Sequence, residues 1–509
     1  MAKSPNILLF MVDQLTSFAL SAYGGTVCKT PNIDALAARG TVFDTAYCNY
    51  PLCAPSRFSM MSGRLPSRIG AYDNGAEFTA ATPTFAHYLR SAGYYTCLSG
   101  KMHFVGPDQY HGFEDRLTTE VYPADMGWTP DPQYQHDNTG EERPYVFGVS
   151  TIDGVKDAGP VARSMQMDYD EEVIHQAERA IYNHARGADK RPFMMTVSLS
   201  HPHDPYVITR AYWDMYDDDD IDAPYVAPIP VDQRDPHSKS LYYNYGQDAC
   251  ELTEQDYRNA RRGYYAIMTY VDELFGRVIN ALEASGMADD TVVLFTSDHG
   301  DMLGERGMWY KKTLFDPAIQ VPLILAMPGR AAGRASTPVS LVDIFPTLLD
   351  IAGVPQAAIR TPLDGRSLLP ALDGTLPIAP IFVEHIDGGT AAPRVCVREG
   401  DKKLVTSQAY PTQFFDLGAD PLELNDLAGQ GHPDEARLTE MARQTWSLDA
   451  LSADVIASQT ARKVVDNALM QGRQEIWDYS PQPQVHKSYV RRGDAFPDVE
   501  RRGYLPYKP

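Results

Sequence analysis

The sequence predicts an α/β fold: a large sheet sandwiched by helices, then a smaller α+β segment with an antiparallel sheet and an extended tail. Three observations predict it. Uninterrupted apolar runs recur far apart, at Asn6-Ile7-Leu8-Leu9-Phe10-Met11-Val12, from Phe193 to Ser200 and from Thr291 to Ser297. Such runs suit strands buried on both faces. Between them, Tyr264, Ile267, Met268, Val271, Leu274, Phe275, Val278 and Leu282 repeat at helical spacing. After about residue 380 the pattern changes to short alternating runs with turns. We divide the 509 residues into a catalytic α/β unit (1–378), an α+β unit (379–472) and a tail (473–509).

Taken in order, the first strand ends at Asp13-Gln14. Thr30-Pro31 opens a helix that Gly40 closes, and Thr41-Val42-Phe43 resumes a strand. Thr82-Pro83 opens the next helix, which ends at Gly93. Tyr94 to Leu98 is a strand delivering Lys101 and His103. Residues 107–165 lack periodicity and read as a long irregular insertion. A helix spans about Asp168 to Arg186, and the next strand runs into His201-Pro202-His203. Thr253-Glu254-Gln255-Asp256 begins the long amphipathic helix, and the strand after it ends at Asp298-His299. Pro380–Glu384, Arg394–Arg398 and Lys403–Thr406 read as antiparallel strands, with turns at Gly388-Gly389 and Glu399-Gly400. A helical stretch from about Asp434 to Ala468 follows. The aromatic, Pro-rich tail favours docking against a second copy of the chain, giving a homotetramer or homodimer.

Four strand ends thus carry polar clusters: Asp13-Gln14, Lys101/His103, His201/His203 and Asp298/His299. In open α/β sheets ligands bind beyond the carboxyl ends of the strands. Cys53-Ala54-Pro55-Ser56-Arg57 joins them. Pro55 fits the first turn of a helix, where unpaired backbone N–H groups favour negative charge, and Arg57 lies one turn along the same face. A nucleophile so placed suits attack on an anionic ester. A buried core cysteine is the alternative reading of the same spacing.

Composition narrows the partners. Lys and Arg number 45 against 67 Asp and Glu, a formal net charge of −22. That disfavours nucleic acid and anionic membranes, though a local cationic pocket remains compatible with it. No apolar run approaches the roughly 18 residues of a membrane span. The six cysteines are scattered without Cys-x-x-Cys, so neither a disulfide framework nor a zinc module is expected. With no leader-like apolar segment at the start, a cytoplasmic location is expected.

Cys53-x-Pro55-x-Arg57 with Gly63-Arg64 resembles the signature of the type I sulfatases. The resemblance implies an alkaline-phosphatase-like fold with a large mixed sheet. It also implies oxidation of Cys53 to formylglycine by a separate generating enzyme, and a hydrated aldehyde as nucleophile. One divalent ion is implied, calcium first and manganese second, held by Asp13, Gln14, Asp298, His299 and modified Cys53. Asp13-Gln14 and Asp298-His299 depart from the usual Asp-Asp and Asp-Asn, and resemble the choline sulfatases and phosphonate monoester hydrolases. By the same resemblance Arg57, Lys101 and Lys311 clamp the sulfuryl oxygens. His103 is the base that collapses the sulfated hydrate, and His203, or alternatively His201, assists the leaving oxygen with Lys311.

Ser99 to His103, Tyr122 to Pro130, Tyr72-Asp73-Asn74, His201 to Tyr206 and Asp298 to Gly307 look like the choline sulfatase branch. There Asn74 contacts sulfate, while Trp128 and Glu384 hold a trimethylammonium group. An aromatic face plus a carboxylate suits that cation. That branch carries a Tyr-His-Asn-type segment where this chain reads Tyr145-Val146-Phe147-Gly148, which makes the pocket more apolar. The expected substrate is choline sulfate or a related small alkyl sulfate. The alternatives are an aryl sulfatase, a phosphonate monoester or phosphodiester hydrolase with the same site, and a non-catalytic anion- or betaine-binding protein.

Overall fold

The structure is a computed structural model describing residues 4–132, 150–386 and 390–473, and, toward the C-terminus, 475–476, 491–492 and 495–506. Its centre is an eight-stranded sheet. In chain order the strands are β1 (Asn6–Val12), β2 (Thr41–Phe43), β3 (Tyr95–Gly100), β4 (Asp115–Arg116), β5 (Phe193–Ser198), β6 (Thr291–Ser297), β7 (Leu323–Ala326) and β8 (Gly333–Ala335). In space they run β8-β2-β7-β6-β1-β5-β3-β4. Strands β6, β1, β5, β3 and β4 are parallel. β7 is antiparallel to both of its neighbours, so the sheet is mixed.

All seven β1 residues are buried, as the apolar run predicts. Alternation sends them to two cores. Leu8, Phe10 and Val12 pack with the helices Met165–Arg186 (α3) and Glu254–Ala284 (α5). Ile7, Leu9 and Met11 pack with Cys53–Ser62 (α2) on the other face. Because β6, β1, β5 and β3 are parallel neighbours, their carboxyl ends open on one edge. That edge receives Asp298, Asp13, the His201–His203 segment and Lys101.

A second, four-stranded antiparallel sheet consists of β9 (Ile381–His385), β10 (Arg394–Glu399), β11 (Lys402–Ser407) and β12 (Gln413–Asp416). In the last strand Phe414 and Phe415 bury their rings. The Gly388-Gly389 turn and the segment Tyr145 to Gly148 lie outside the described residues. Other elements shift modestly. The helix expected at Thr82-Pro83 begins at Phe85, because Thr84 and His87 cap each other reciprocally. The single helical stretch from about Asp434 divides into Pro433–Thr445 (α6) and Leu448–Leu469 (α7). Trp446 is extended there, its indole donating to Glu384 at 2.6 Å. The tail is not wholly extended: Phe496–Gly503 forms a helix, α8, docked on its own chain. Pro236–Asn244, which precedes α5, is termed α4.

A buried charge network ties the second sheet to Tyr47 and Asp316 of the first unit. Lys403 has no exposed surface and donates to Asp316 at 2.6 Å and Glu423 at 2.7 Å. Asp316 also accepts from the Tyr47 hydroxyl, which itself accepts from Arg398. Removing one partner of a buried pair strands the others without solvent. Lys403→Met should therefore destabilise the protein by about 3–5 kcal/mol. An unchanged denaturation midpoint would show that the network contributes nothing.

Candidate active site

Leu52 is extended and Cys53 is the first residue of α2, so its thiol sits over the helix N-terminus. Asn74 supplies the cap from outside, its Oδ1 accepting from the Ala54 N–H at 3.0 Å. That contact is a different task from the sulfate contact expected of it. Ser56 anchors the same turn by donating to the Asp298 carbonyl at 2.5 Å. Burial, then the charge of Asp13, pushes the Cys53 thiol up to about 11. An unmodified Cys53 is therefore a neutral thiol at physiological pH and a poor nucleophile.

Four sequence-predicted ligands come together. One ligand atom each from Asp13, Cys53, Asp298 and His299 lies within 4.8 Å of the others, all buried. His299 Nε2 is 3.3 Å from Cys53 Sγ. Its Nδ1–H donates to the Gly300 carbonyl at 2.9 Å, leaving the Nε2 lone pair facing the cluster. Burial lowers the His299 pKa, which keeps that lone pair available. Two carboxylates, a neutral imidazole and residue 53 fit a divalent cation. Gln14, expected among these ligands, turns its Oε1 to Lys311, while its Nε2 donates to Asp204 at 3.1 Å and Asp301 at 2.7 Å.

The cations converge on the same carboxylates. Arg57 is fully buried, bonding Asp298 at 2.8 Å through Nε, Asp13 at 3.0 Å through one terminal nitrogen, and Ser198 at 2.8 Å through the other. Lys101 donates to Asp13 and lies over the Tyr122 ring, 4.0 Å from its centroid. Burial alone would raise the Asp13 carboxyl, but Lys101 and Arg57 hold it well below the usual range. Gly100 makes this approach possible. Its φ is +111°, and a Cβ there would stand 1.9 Å from the Ser198 carbonyl oxygen.

The histidines separate. His203 donates from Nδ1 to the Asp204 carbonyl at 2.7 Å and accepts at Nε2 from Lys311 at 2.6 Å. His201 instead turns to Asp170, 2.7 Å away, and away from Lys311. Both ring nitrogens of His103 are buried without a hydrogen-bond partner among the described residues. Burial, then Lys101 and Arg57, lowers its pKa well below the usual value, so it is a neutral base.

Beside His103 stands an aromatic wall. Trp128 lies 5.3 Å from the His103 ring, 5.1 Å from Tyr122 and 5.8 Å from Phe496 of α8. One turn on, Glu500 is 3% exposed and accepts from Gln166 at 2.7 Å. Burial, then Asp204, raises its pKa well above the usual value, while Lys311 and Lys101 oppose this. Glu384 does not join Trp128. It is fully buried in β9, accepting from the Ser67 N–H at 2.7 Å, the Ser67 hydroxyl at 2.5 Å and the Trp446 indole, which spends its carboxylate on packing.

The sequence reading missed how the C-terminal helices position this wall. Arg462 of α7 forks onto Asp73 at 2.6 and 2.7 Å and reaches Thr129 at 2.8 Å. Gln459 adds a bond to Asp73 at 3.1 Å. Asp73 precedes the capping Asn74, and Thr129 follows Trp128. The two loops touch at Gly75, where a Cβ would lie 2.3 Å from the Thr129 nitrogen. A lone Arg in an amphipathic helix gives no sequence signal for this contact. Tyr122 and Asp204, by contrast, lie within segments already singled out.

Comparison with known proteins agrees with this geometry. The family model described as Sulfatase matches residues 5–354, and that described as Choline sulfatase enzyme C terminal matches residues 453–503. A choline-sulfatase of Rhizobium meliloti (strain 1021) is 44% identical over 495 residues, covering 96% of each chain. Among solved structures, the phosphonate monoester hydrolase SpPMH from Silicibacter pomeroyi superposes with a TM-score of 0.69 at 24% identity, covering 87% of this chain and 95% of its own. BT4656, in complex with its substrate D-glucosamine-2-N,6-O-disulfate, superposes with a TM-score of 0.65 at 23% identity, covering 90% and 99%. The fold is thus that of the alkaline-phosphatase-like sulfatases, and the chain belongs to the sulfatase family, hydrolases that act on sulfate esters.

Proposed function

We propose that this sulfatase hydrolyses choline sulfate, or a small alkyl sulfate with a similar cationic head, to the alcohol and inorganic sulfate. The observation that carries the reading is the wall of Trp128, Tyr122 and Phe496, with Glu500 one helical turn after Phe496 on α8. The likeness to a choline-sulfatase supports it. A quaternary ammonium gains about 0.5–2 kcal/mol over an aromatic face, and more where a carboxylate can ionise against it. Glu500 takes the part expected of Glu384.

The chemistry rests on two groups that we assign to this site. A formylglycine at position 53, made by a generating enzyme before folding closes over the 1%-exposed Cys53, supplies an oxygen nucleophile in place of a neutral thiol. A divalent ion, calcium first and manganese second, held by Asp13, Asp298, His299 and residue 53, supplies Lewis acidity.

The chain's own residues do the rest. Arg57 fixes both carboxylates and the α2 N-terminus. Lys101 and Lys311 face charge growing on the sulfuryl oxygens. Lys311 donates to His203 Nε2, so this pair can deliver a proton to the leaving alkoxide. His103, neutral beside residue 53, can accept one. The same cations would also suit a phosphonate monoester, and the ratio of rates on paired sulfate and phosphonate esters decides between them. We further propose that the protein is a cytoplasmic homo-oligomer. The six unpaired cysteines and the aromatic tail support this.

Three outcomes are expected. Cys53→Ala should be inactive, and the wild-type Cys53 peptide should carry an aldehyde by mass spectrometry; full activity of the variant would end the covalent reading. Trp128→Ala should raise KM for choline sulfate roughly tenfold, about 1.4 kcal/mol, with a smaller effect on 4-nitrophenyl sulfate. Equal effects on both substrates would remove the cation from the account. Arg462→Met should lower kcat/KM at least about tenfold on both substrates, since losing buried charge-assisted bonds costs some 1.5–3 kcal/mol, with Arg462→Lys partly restoring it. Unchanged kinetics in Arg462→Met would reduce that contact to packing.

A further inference from the structure

Away from the catalytic cluster, the second sheet carries a buried cation that has no carboxylate partner among the described residues. Arg394 of β10 is 3% exposed. Its cross-strand partner on β9 is His385, so both side chains leave the same face of the sheet. His237 of α4 packs against them, its ring 5.4 Å from that of His385 and 5.4 Å from that of Tyr410. One terminal nitrogen of Arg394 donates to His237 Nδ1 and the other to Gln413 Oε1 at 3.1 Å. Among the described residues no carboxylate comes within ion-pair distance of this guanidinium. Asp235 is the acidic group whose charge it senses first. That carboxylate is committed to the N–H groups of His237 and Ser238, both at 3.1 Å, and to the Ser238 hydroxyl.

The unmade bonds in this cluster are mostly donors. Since His237 Nδ1 accepts from Arg394, its proton is on Nε2, and Nε2 has no partner. Arg394 Nε and both ring nitrogens of His385 are likewise buried without partners among the described residues. Burial, then the positive charge of Arg394, lowers both imidazole pKa values well below the usual range, so each ring holds one proton to donate. A buried guanidinium without a counter-ion and a set of unsatisfied donors each destabilise a fold. Water can satisfy donors but brings no charge. A metal ion is disfavoured, because Arg394 occupies His237 Nδ1 and no carboxylate or thiolate among the described residues completes a ligand set.

We propose that His237, His385 and Arg394 form a buried binding site for a small monovalent inorganic anion of the halide class. One cation without a carboxylate partner among the described residues sets the charge, and enclosure at 3% exposure or less limits the size. The site is independent of the catalytic reading. Lys312, which adds positive potential at His385, follows the catalytic Lys311 and bonds the Pro51 carbonyl at 3.1 Å, so the anion lies behind the loop that presents Lys311.

Crystals of the full-length protein grown in sodium bromide test this directly. An anomalous bromide peak in hydrogen-bond reach of Arg394 Nε, His237 Nε2 and the His385 ring is expected. Water or an oxyanion at that position, with no anomalous signal, would overturn the proposal. In solution, replacing gluconate by bromide at constant ionic strength should raise the unfolding midpoint saturably. Arg394→Gln and His385→Phe should each abolish that rise. A wild-type midpoint indifferent to the anion would also overturn it, and both wild-type readouts stand even if a variant does not fold.

Discussion

Everything at the active edge depends on the contact between two buried carboxylates and the guanidinium between them. Arg57 spans Asp13 and Asp298, and none of the three side chains has solvent exposure. Charges this deep persist only when paired and hydrogen-bonded. The pairing joins three distant parts of the chain: the end of β1, the first turn of α2 and the end of β6. Residue 53 is thereby held over the helix N-terminus with His299 beside it. Lys101 and Lys311 add two further cations beside residue 53. A chain of net charge −22 thus presents a cationic pocket to a sulfate ester.

Backbone strain concentrates in the same place. Gln14, His103, Tyr310 and Lys312 all have positive φ, between 60° and 68°. For residues other than glycine such conformations are costly, and surrounding bonds must enforce them. Gln14 is held by Asp204, Asp301 and Lys311, and Tyr310 by Asp301, which accepts its N–H at 2.9 Å. The neighbours of His103 are fixed by Glu120, which accepts from the Met102 and Phe104 N–H groups at 2.9 and 3.3 Å.

Much of this was legible in the sequence, for physical reasons. Strands buried on both faces leave continuous apolar runs, and β1 and β6 were placed almost to the residue. Convergence of the strand ends follows from parallel neighbours, which brought Asp13, Lys101, His203 and Asp298 to one edge. What failed was reach across the chain. Glu384 matched a carboxylate by position along the sequence, but Ser67 and Trp446 consume it. Glu500, which we propose for that part, has no local signal in Phe496 to Gly503, because docking of α8 beside Trp128 depends on tertiary packing. The choice between His201 and His203 also lay beyond the sequence, since Asp170, which claims His201, is thirty-one residues away.

The central claim is that the buried cluster of Asp13, Asp298, His299 and residue 53 exists to hold one divalent cation. Equilibrium dialysis with elemental analysis measures this most directly, on the wild type and on Asp298→Ala. The account predicts one tightly held divalent ion per chain in the wild type and loss of that ion in the variant. Equal metal content in the two proteins would contradict it.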